Sequence, residues 1–177
     1  MKNVFRIILL VFTLLSVTLL LAVNLDAQLF SPFEIDKLVG KKAPEFKARD
    51  LSGKSVSLSS FKGKPILLNF WATWCPYCRE ERPYLNSLHK EYKDKGLVII
   101  AVSLDKSEET VRKFLKKMPL DFIILHDNDN AASGPYGVYS LPTSFTVDRN
   151  GIIKGKFLGV RNWTDSNSKK AIEEIIK

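Results

Sequence analysis

The chain has 177 residues, 45 % of them apolar, with a formal net charge of +8. That is enough apolar material for one cored domain with room to spare. Its two cysteines are too few for a small scaffold braced by disulfides. The basic residues are interspersed with Asp and Glu and accompany no recognition motif, so they read as a solvated surface, and no nucleic-acid partner is expected.

Residues 1–6 carry Lys2 and Arg6, and the stretch Ile7–Leu25 that follows has no charge. As a helix it would span roughly 28 Å, the thickness of a bilayer core. No basic residue follows until Lys37. The charge asymmetry therefore predicts residues 1–6 in the cytoplasm, a transmembrane anchor over 7–25 and the rest outside the cell membrane. A cleaved signal peptide is the competing reading. The small-residue pattern around Ala22 and Ala27 fits a cleavage site poorly, because each has Leu two positions earlier. Residues 26–40 read as a linker, and 41–177 as the folded domain.

Within the domain, Glu45–Arg49 and Lys54–Leu58 flank a turn at Asp50-Leu51-Ser52-Gly53, which predicts a hairpin. Pro65–Trp71 is a dense apolar run suited to a strand buried on both faces. Pro76–Lys95 has helical spacing, with Pro83 expected to kink it. Leu97–Leu104 is a second buried strand, and Ser107–Lys117 a helix with Ser107 as its cap. Asp121–Leu125 is a short strand, and Asp127–Gly137 is a loop with room for a short helix. Thr143–Asp148 and Ile152–Phe157 are strands joined by a turn at Arg149-Asn150-Gly151, before a closing helix over Ser166–Lys177. Alternating strands and helices followed by a hairpin imply a layered α/β fold.

The chemistry sits where the central strand meets the long helix, at Trp74-Cys75-Pro76-Tyr77-Cys78. The thiolate is the nucleophilic form of cysteine. A helix N-terminus stabilises it with free N–H groups and a partial positive charge. Cys75 is expected to be the exposed attacking sulfur. Cys78, one turn later, is the shielded resolving sulfur, close enough to close a Cys75–Cys78 disulfide. A structural zinc needs about four ligands, and only His89 and His126 remain to supply them. No metal or other cofactor is expected. The acidic loops Asp105–Glu109 and Asp127–Asp129 lack a full calcium-ligand pattern.

The segment Phe70–Cys78 resembles the active-site segment of the thioredoxin superfamily. Ala43-Pro44-Glu45-Phe46, Gly53-Lys54, Gly63-Lys64-Pro65 and Leu141-Pro142-Thr143 narrow the resemblance to its membrane-anchored TlpA/ResA-like branch. That resemblance implies a thioredoxin fold with an N-terminal β-hairpin extension, preceded by one transmembrane helix. It implies an extracytoplasmic thiol–disulfide oxidoreductase acting on disulfide-bearing protein clients and recharged by a membrane thiol-electron donor. Apocytochrome c, during cytochrome c maturation, is the client the branch suggests. A general disulfide reductase or oxidant with other clients is almost as compatible with the motif.

By the same resemblance Pro142 is the cis-proline. Leu141 and Pro142 are expected to pair with client backbone, with Trp74 shielding the disulfide. Thioredoxin carries a buried Asp six residues before its first cysteine, where this chain has Asn69. Asn69 cannot titrate. Glu81, three residues after Cys78 and matched in the branch, is therefore the expected proton-transfer group, half-buried on the helix. Glu80 should face solvent. A peroxiredoxin-like thiol peroxidase shares the Ala-Pro-x-Phe opening but holds its cysteine in a different motif. A copper-delivery protein would need wider cysteine spacing and an added His.

Overall fold

The computed structural model describes residues 37–177. The predicted cytoplasmic terminus, the anchor over 7–25 and most of the linker lie outside the described residues. Among those described, no helix is long and apolar enough to cross a membrane.

Seven strands form one sheet: β1 (Lys47–Asp50), β2 (Ser55–Ser57), β3 (Ile66–Trp71), β4 (Val98–Ser103), β5 (Ile123–His126), β6 (Thr143–Val147) and β7 (Ile153–Leu158). Among the described residues three α-helices accompany them: α1 (Pro76–Tyr92), α2 (Glu108–Lys117) and α3 (Ser166–Ile176). The strand order is β2-β1-β5-β4-β3-β6-β7. β3, β4 and β5 run parallel, and every other pairing is antiparallel. This is a thioredoxin-like α/β fold.

β3 lies at the heart of the sheet because all six of its side chains are apolar or amide and all six are buried. Its alternate residues serve two cores. Leu67 and Trp71 join Leu85, Leu88 and Tyr92 of α1, Val111 of α2 and Ile172 and Ile175 of α3. Leu68 and Phe70 join Ile100, Val102, Phe145, Tyr136 and Phe46 on the opposite face. The helices thus cover one face. The other is closed by the chain before β1, by the turn after β2 and by the long loop before β6. Tyr136 ties that loop to the opening segment by donating its hydroxyl to the Pro44 carbonyl at 2.9 Å.

The hairpin forms as predicted, with shorter strands. Asp50 accepts from the Ser52 and Lys54 N–H groups, and Gly53 takes the left-handed conformation that closes the turn. Leu58 opens a 3-10 turn, Leu58–Phe61, rather than ending the strand. Pro83 sits inside α1 without ending it, and α1 stops at Tyr92, followed by a 3-10 turn and Gly96 at φ 91°. Ser107 stands at the α2 N-cap without a side-chain capping bond, so its expected cap is replaced by Glu108 and Glu109 in the first turn. The loop after β5 is folded by buried Asp127, which accepts from the Ala132 and Ser133 N–H groups. Asp165 caps α3 by accepting from Ser168 at 2.8 Å.

Candidate active site

β3 delivers the chain to the redox motif at the carboxyl end of the sheet, and α1 begins there. Cys75 is the N-cap of α1, and Pro76 fills the first helical position, where its missing N–H costs nothing. The Cys75–Cys78 disulfide is closed, with the two Cα atoms 5.3 Å apart. The Cys78 N–H donates to Cys75 Sγ at 3.1 Å. This places a free helix donor on the sulfur expected to carry negative charge.

Cys75 was expected to be exposed. In the closed disulfide it is only 3 % exposed, because its sulfur is drawn beneath the first turn of α1, and Cys78 is fully buried. The exposed groups are instead the neighbouring rings of Trp74 and Tyr77, at 67 % and 62 %. Leu141–Pro142 is a cis peptide bond. The β3–β6 register pairs Phe70 with Thr143, so Pro142 falls at the same end of the sheet as the cysteines. Leu141 is half-buried against the core that contains both cysteines.

Glu81 is not half-buried but fully enclosed, at 1 % exposed. One turn beyond Cys78, it lies on the stripe of α1 that faces the sheet, whereas Glu80 points to solvent as expected. Its Oε2 accepts from Asn69 Nδ2 at 3.0 Å. Its Oε1 accepts from Trp163 Nε1 at 2.8 Å and from the Arg161 N–H at 3.2 Å. Burial pushes the carboxyl up to about 6, against the pull of the Trp163 hydrogen bond, the Arg82 charge and the remaining donors. Asn69 also donates to Ser144 Oγ at 2.9 Å. The neutral residue in the strand and the acid on the helix are therefore directly bonded, inside one buried polar cluster.

Several contributors were not foreseen. Trp163 and Arg161 lie in a stretch between β7 and α3 that shows no periodicity. Arg82 was missed as well, although the sequence held a signal for it: a charge on the apolar stripe, four residues after Cys78 and three before Leu85. It is 1 % exposed, and its guanidinium lies 3.8 Å from the centre of the Trp71 ring. Asp105 opens one of the acidic loops and is buried. It accepts from the Thr73 N–H at 2.9 Å, from Thr73 Oγ1 at 2.6 Å and from Ser103 Oγ at 2.8 Å. Asp105 thereby pins the two-residue bend between β3 and the motif. His126 Nε2 lies 2.6 Å from the Asp105 carbonyl oxygen, a hydrogen bond that adds to the same brace.

Comparison with known proteins agrees with this geometry. The AhpC/TSA family model matches residues 39–156. A relative named thiol-disulfide oxidoreductase ResA, from Bacillus cereus, is 42 % identical over 134 residues, covering 74 % of this chain and 78 % of that one. The thioredoxin-like protein YneN of Bacillus subtilis is 43 % identical over 135 residues, covering 75 % and 78 %. Among solved structures, a Chlorobium tepidum protein assigned as a thiol:disulfide interchange protein DsbE superposes with a TM-score of 0.74 at 34 % identity. That match covers 78 % of this chain and 98 % of that one.

Proposed function

Because the chain belongs to the AhpC/TSA family and, within it, to the ResA-like thiol–disulfide oxidoreductases, we propose that Cys75 and Cys78 reduce disulfides in protein clients outside the cytoplasm. Apocytochrome c is the client class that the reading favours. Residues 1–6 lie in the cytoplasm, 7–25 anchor the chain in the membrane, 26–40 form the linker and 41–177 carry the activity. The arrangement that supports this reading is a closed disulfide on the N-cap of a helix, with a buried carboxyl one turn beyond it.

In the reduced protein the Cys75 thiolate is held by the Cys78 N–H and the helix terminus. It attacks one sulfur of a client disulfide and expels the other as a thiolate, leaving a mixed disulfide. The Cys78 thiol gives its proton to the Glu81 carboxylate and attacks Cys75 Sγ. The second client sulfur leaves as a thiolate and Cys75–Cys78 closes. Two electrons have then passed from the protein dithiol to the client, and a membrane thiol donor restores the dithiol. Trp74, Leu141 and Pro142 form the client platform, where an extended client backbone pairs with the cis-proline segment.

The test is trapping. Cys78→Ala should accumulate mixed disulfides through Cys75, and in the reduced wild type Cys75 should be alkylated far faster than Cys78. Trapped clients with haem-attachment cysteine pairs would support the apocytochrome reading. Absence of any trapped species, or preferential alkylation of Cys78, would overturn the assignment of roles.

A further inference from the structure

The buried polar cluster around Glu81 contains a second charge that the exchange steps above do not use. Arg82 is almost wholly enclosed, and none of its three side-chain nitrogens has a hydrogen-bond partner among the described residues. A guanidinium carries five N–H donors, and burying it without acceptors is costly unless a nearby negative charge or an aromatic face compensates. Both are present. The Trp71 ring lies 3.8 Å below the guanidinium carbon. Glu81 is the adjacent residue on α1 and interacts with it electrostatically. An apolar side chain would fill this position on a core-facing stripe without that cost, so the charge itself calls for an explanation.

We propose that Arg82 is a positioning residue of the redox centre: the buried counter-cation that keeps the Glu81 side chain in its carboxylate form, ready to take the Cys78 proton. The inference rests on the proton-transfer role proposed for Glu81. A carboxylate accepts the Cys78 proton; a carboxylic acid does not. Burial alone drives Glu81 toward the acid form, and the three neutral donors that reach it offset this only in part. Arg82, adjacent on α1 and equally buried, supplies a full positive charge that acts on it. On α1 Arg79 and Glu80 are exposed, and Cys75 and Cys78 are joined in the disulfide. β3 contributes neutral Asn69 to the carboxylate, and the polar cluster reaches β6 through neutral Ser144. The segment before α3 presents Trp163, the Arg161 backbone N–H and a second cation, the Arg161 guanidinium, which lies 4.3 Å from the centre of the Phe157 ring and 5.5 Å from that of Trp163. Burial pulls Arg82 down to about 9, so it remains a cation at neutral pH.

The test follows Glu81 directly. The side-chain carboxyl carbon is observed by NMR in the oxidised full-length protein through a pH titration, with Glu81→Gln identifying the resonance. Arg82→Met keeps the length of the stem and removes the charge. It should raise the Glu81 midpoint by about one pH unit. Arg82→Lys keeps the charge without the planar fork and should leave the midpoint within a few tenths of a unit of wild type. The acid limb of the single-turnover rate of peptide-disulfide reduction should move up with the midpoint in Arg82→Met, with the rate restored at alkaline pH. In a Glu81→Gln background Arg82→Met should move no limb.

An unchanged midpoint in Arg82→Met, or an equal loss of rate at every pH, would mean that Arg82 only packs, and would overturn the proposal. If the Met variant does not fold, Arg82→Gln, neutral but polar, decides: an upward shift of the midpoint supports the charge role and a wild-type midpoint overturns it. The titration needs no client, so its failure leaves the exchange reading standing, and a failed trapping experiment leaves the titration interpretable.

Discussion

Replacing Glu81 by Gln tests the buried carboxyl through its effect on stability. The folded protein raises this group from 4.5 to about 6. The gap corresponds to about 2 kcal/mol, at about 1.4 kcal/mol for each pH unit. The sign follows from proton binding. Between the two values the native state holds the proton that the unfolded chain has released, so stability falls as pH rises. The contribution is fully present below 4.5 and lost as pH passes through about 6. Gln stays neutral throughout. Its Oε1 can accept from Trp163 and Arg161, and a turned Asn69 amide can offer its unpartnered Oδ1 to the new NH2 group. Guanidinium unfolding of the oxidised protein at both ends of this range gives the comparison. Wild type should lose about 2 kcal/mol relative to Glu81→Gln as pH rises from about 4.5 to about 7.5. Constant costs of the substitution cancel in that difference, as do Asp50 and Asp165, which both forms share. Parallel curves for the two proteins, or a wild type that gains on the variant, would refute the reasoning.

Trp163→Phe removes the 2.8 Å donor to Glu81 and should raise its carboxyl above the wild-type value in an NMR titration; no movement would show that the bond carries no charge stabilisation. Asp105→Ala strips the acceptor from Thr73 N–H, Thr73 Oγ1 and Ser103 Oγ. It should cost about 2–4 kcal/mol in denaturant unfolding and slow alkylation of Cys75, since buried donors left unpaired are penalised. Externally added protease should digest the domain from about Lys37 onward in intact cells, once any outer membrane has been opened, while a membrane fraction retains the N-terminal segment. Full protection of the domain would reverse the proposed orientation.

The elements that carry the fold were legible because their patterns are strong. Ile66–Trp71 reads as a doubly buried strand from its unbroken apolar run, and every one of its residues is buried. The cysteine pair announced a helix start because Pro76 suits only the first turn and the strand ends just before the motif. The expected hairpin turn at Asp50–Gly53 formed because Asp50 satisfies the turn N–H groups. What sequence could not supply was long-range polar pairing. Asp105 and Thr73 are 32 residues apart, and Glu81 and Trp163 are 82 apart, with no periodicity linking either pair. Burial of Glu81 was underestimated for the same reason. A helical glutamate reads as solvated until the donors that can hold it are known to converge.

Those donors change how the acid is controlled. An Asp on β3 would take its environment mainly from one strand. Here the strand position is Asn69, which passes a hydrogen bond to Glu81 and another to Ser144 of β6. The acid itself rides on α1 with both cysteines, while Trp163 and Arg161 reach it from the segment before α3. Several separate parts of the fold therefore set the proton affinity of one group. Substitutions that shift α3 against the sheet, such as at Ile172 or Ile175 in the shared core, would move the Trp163 donor and so alter thiol chemistry without touching a cysteine. The helix also fixes the spacing between Cys78 and Glu81 at one turn, so the sulfur and the carboxyl keep their relation whenever α1 moves as a rigid body. In this arrangement the strand supplies the anchor point and the helix carries the reacting groups.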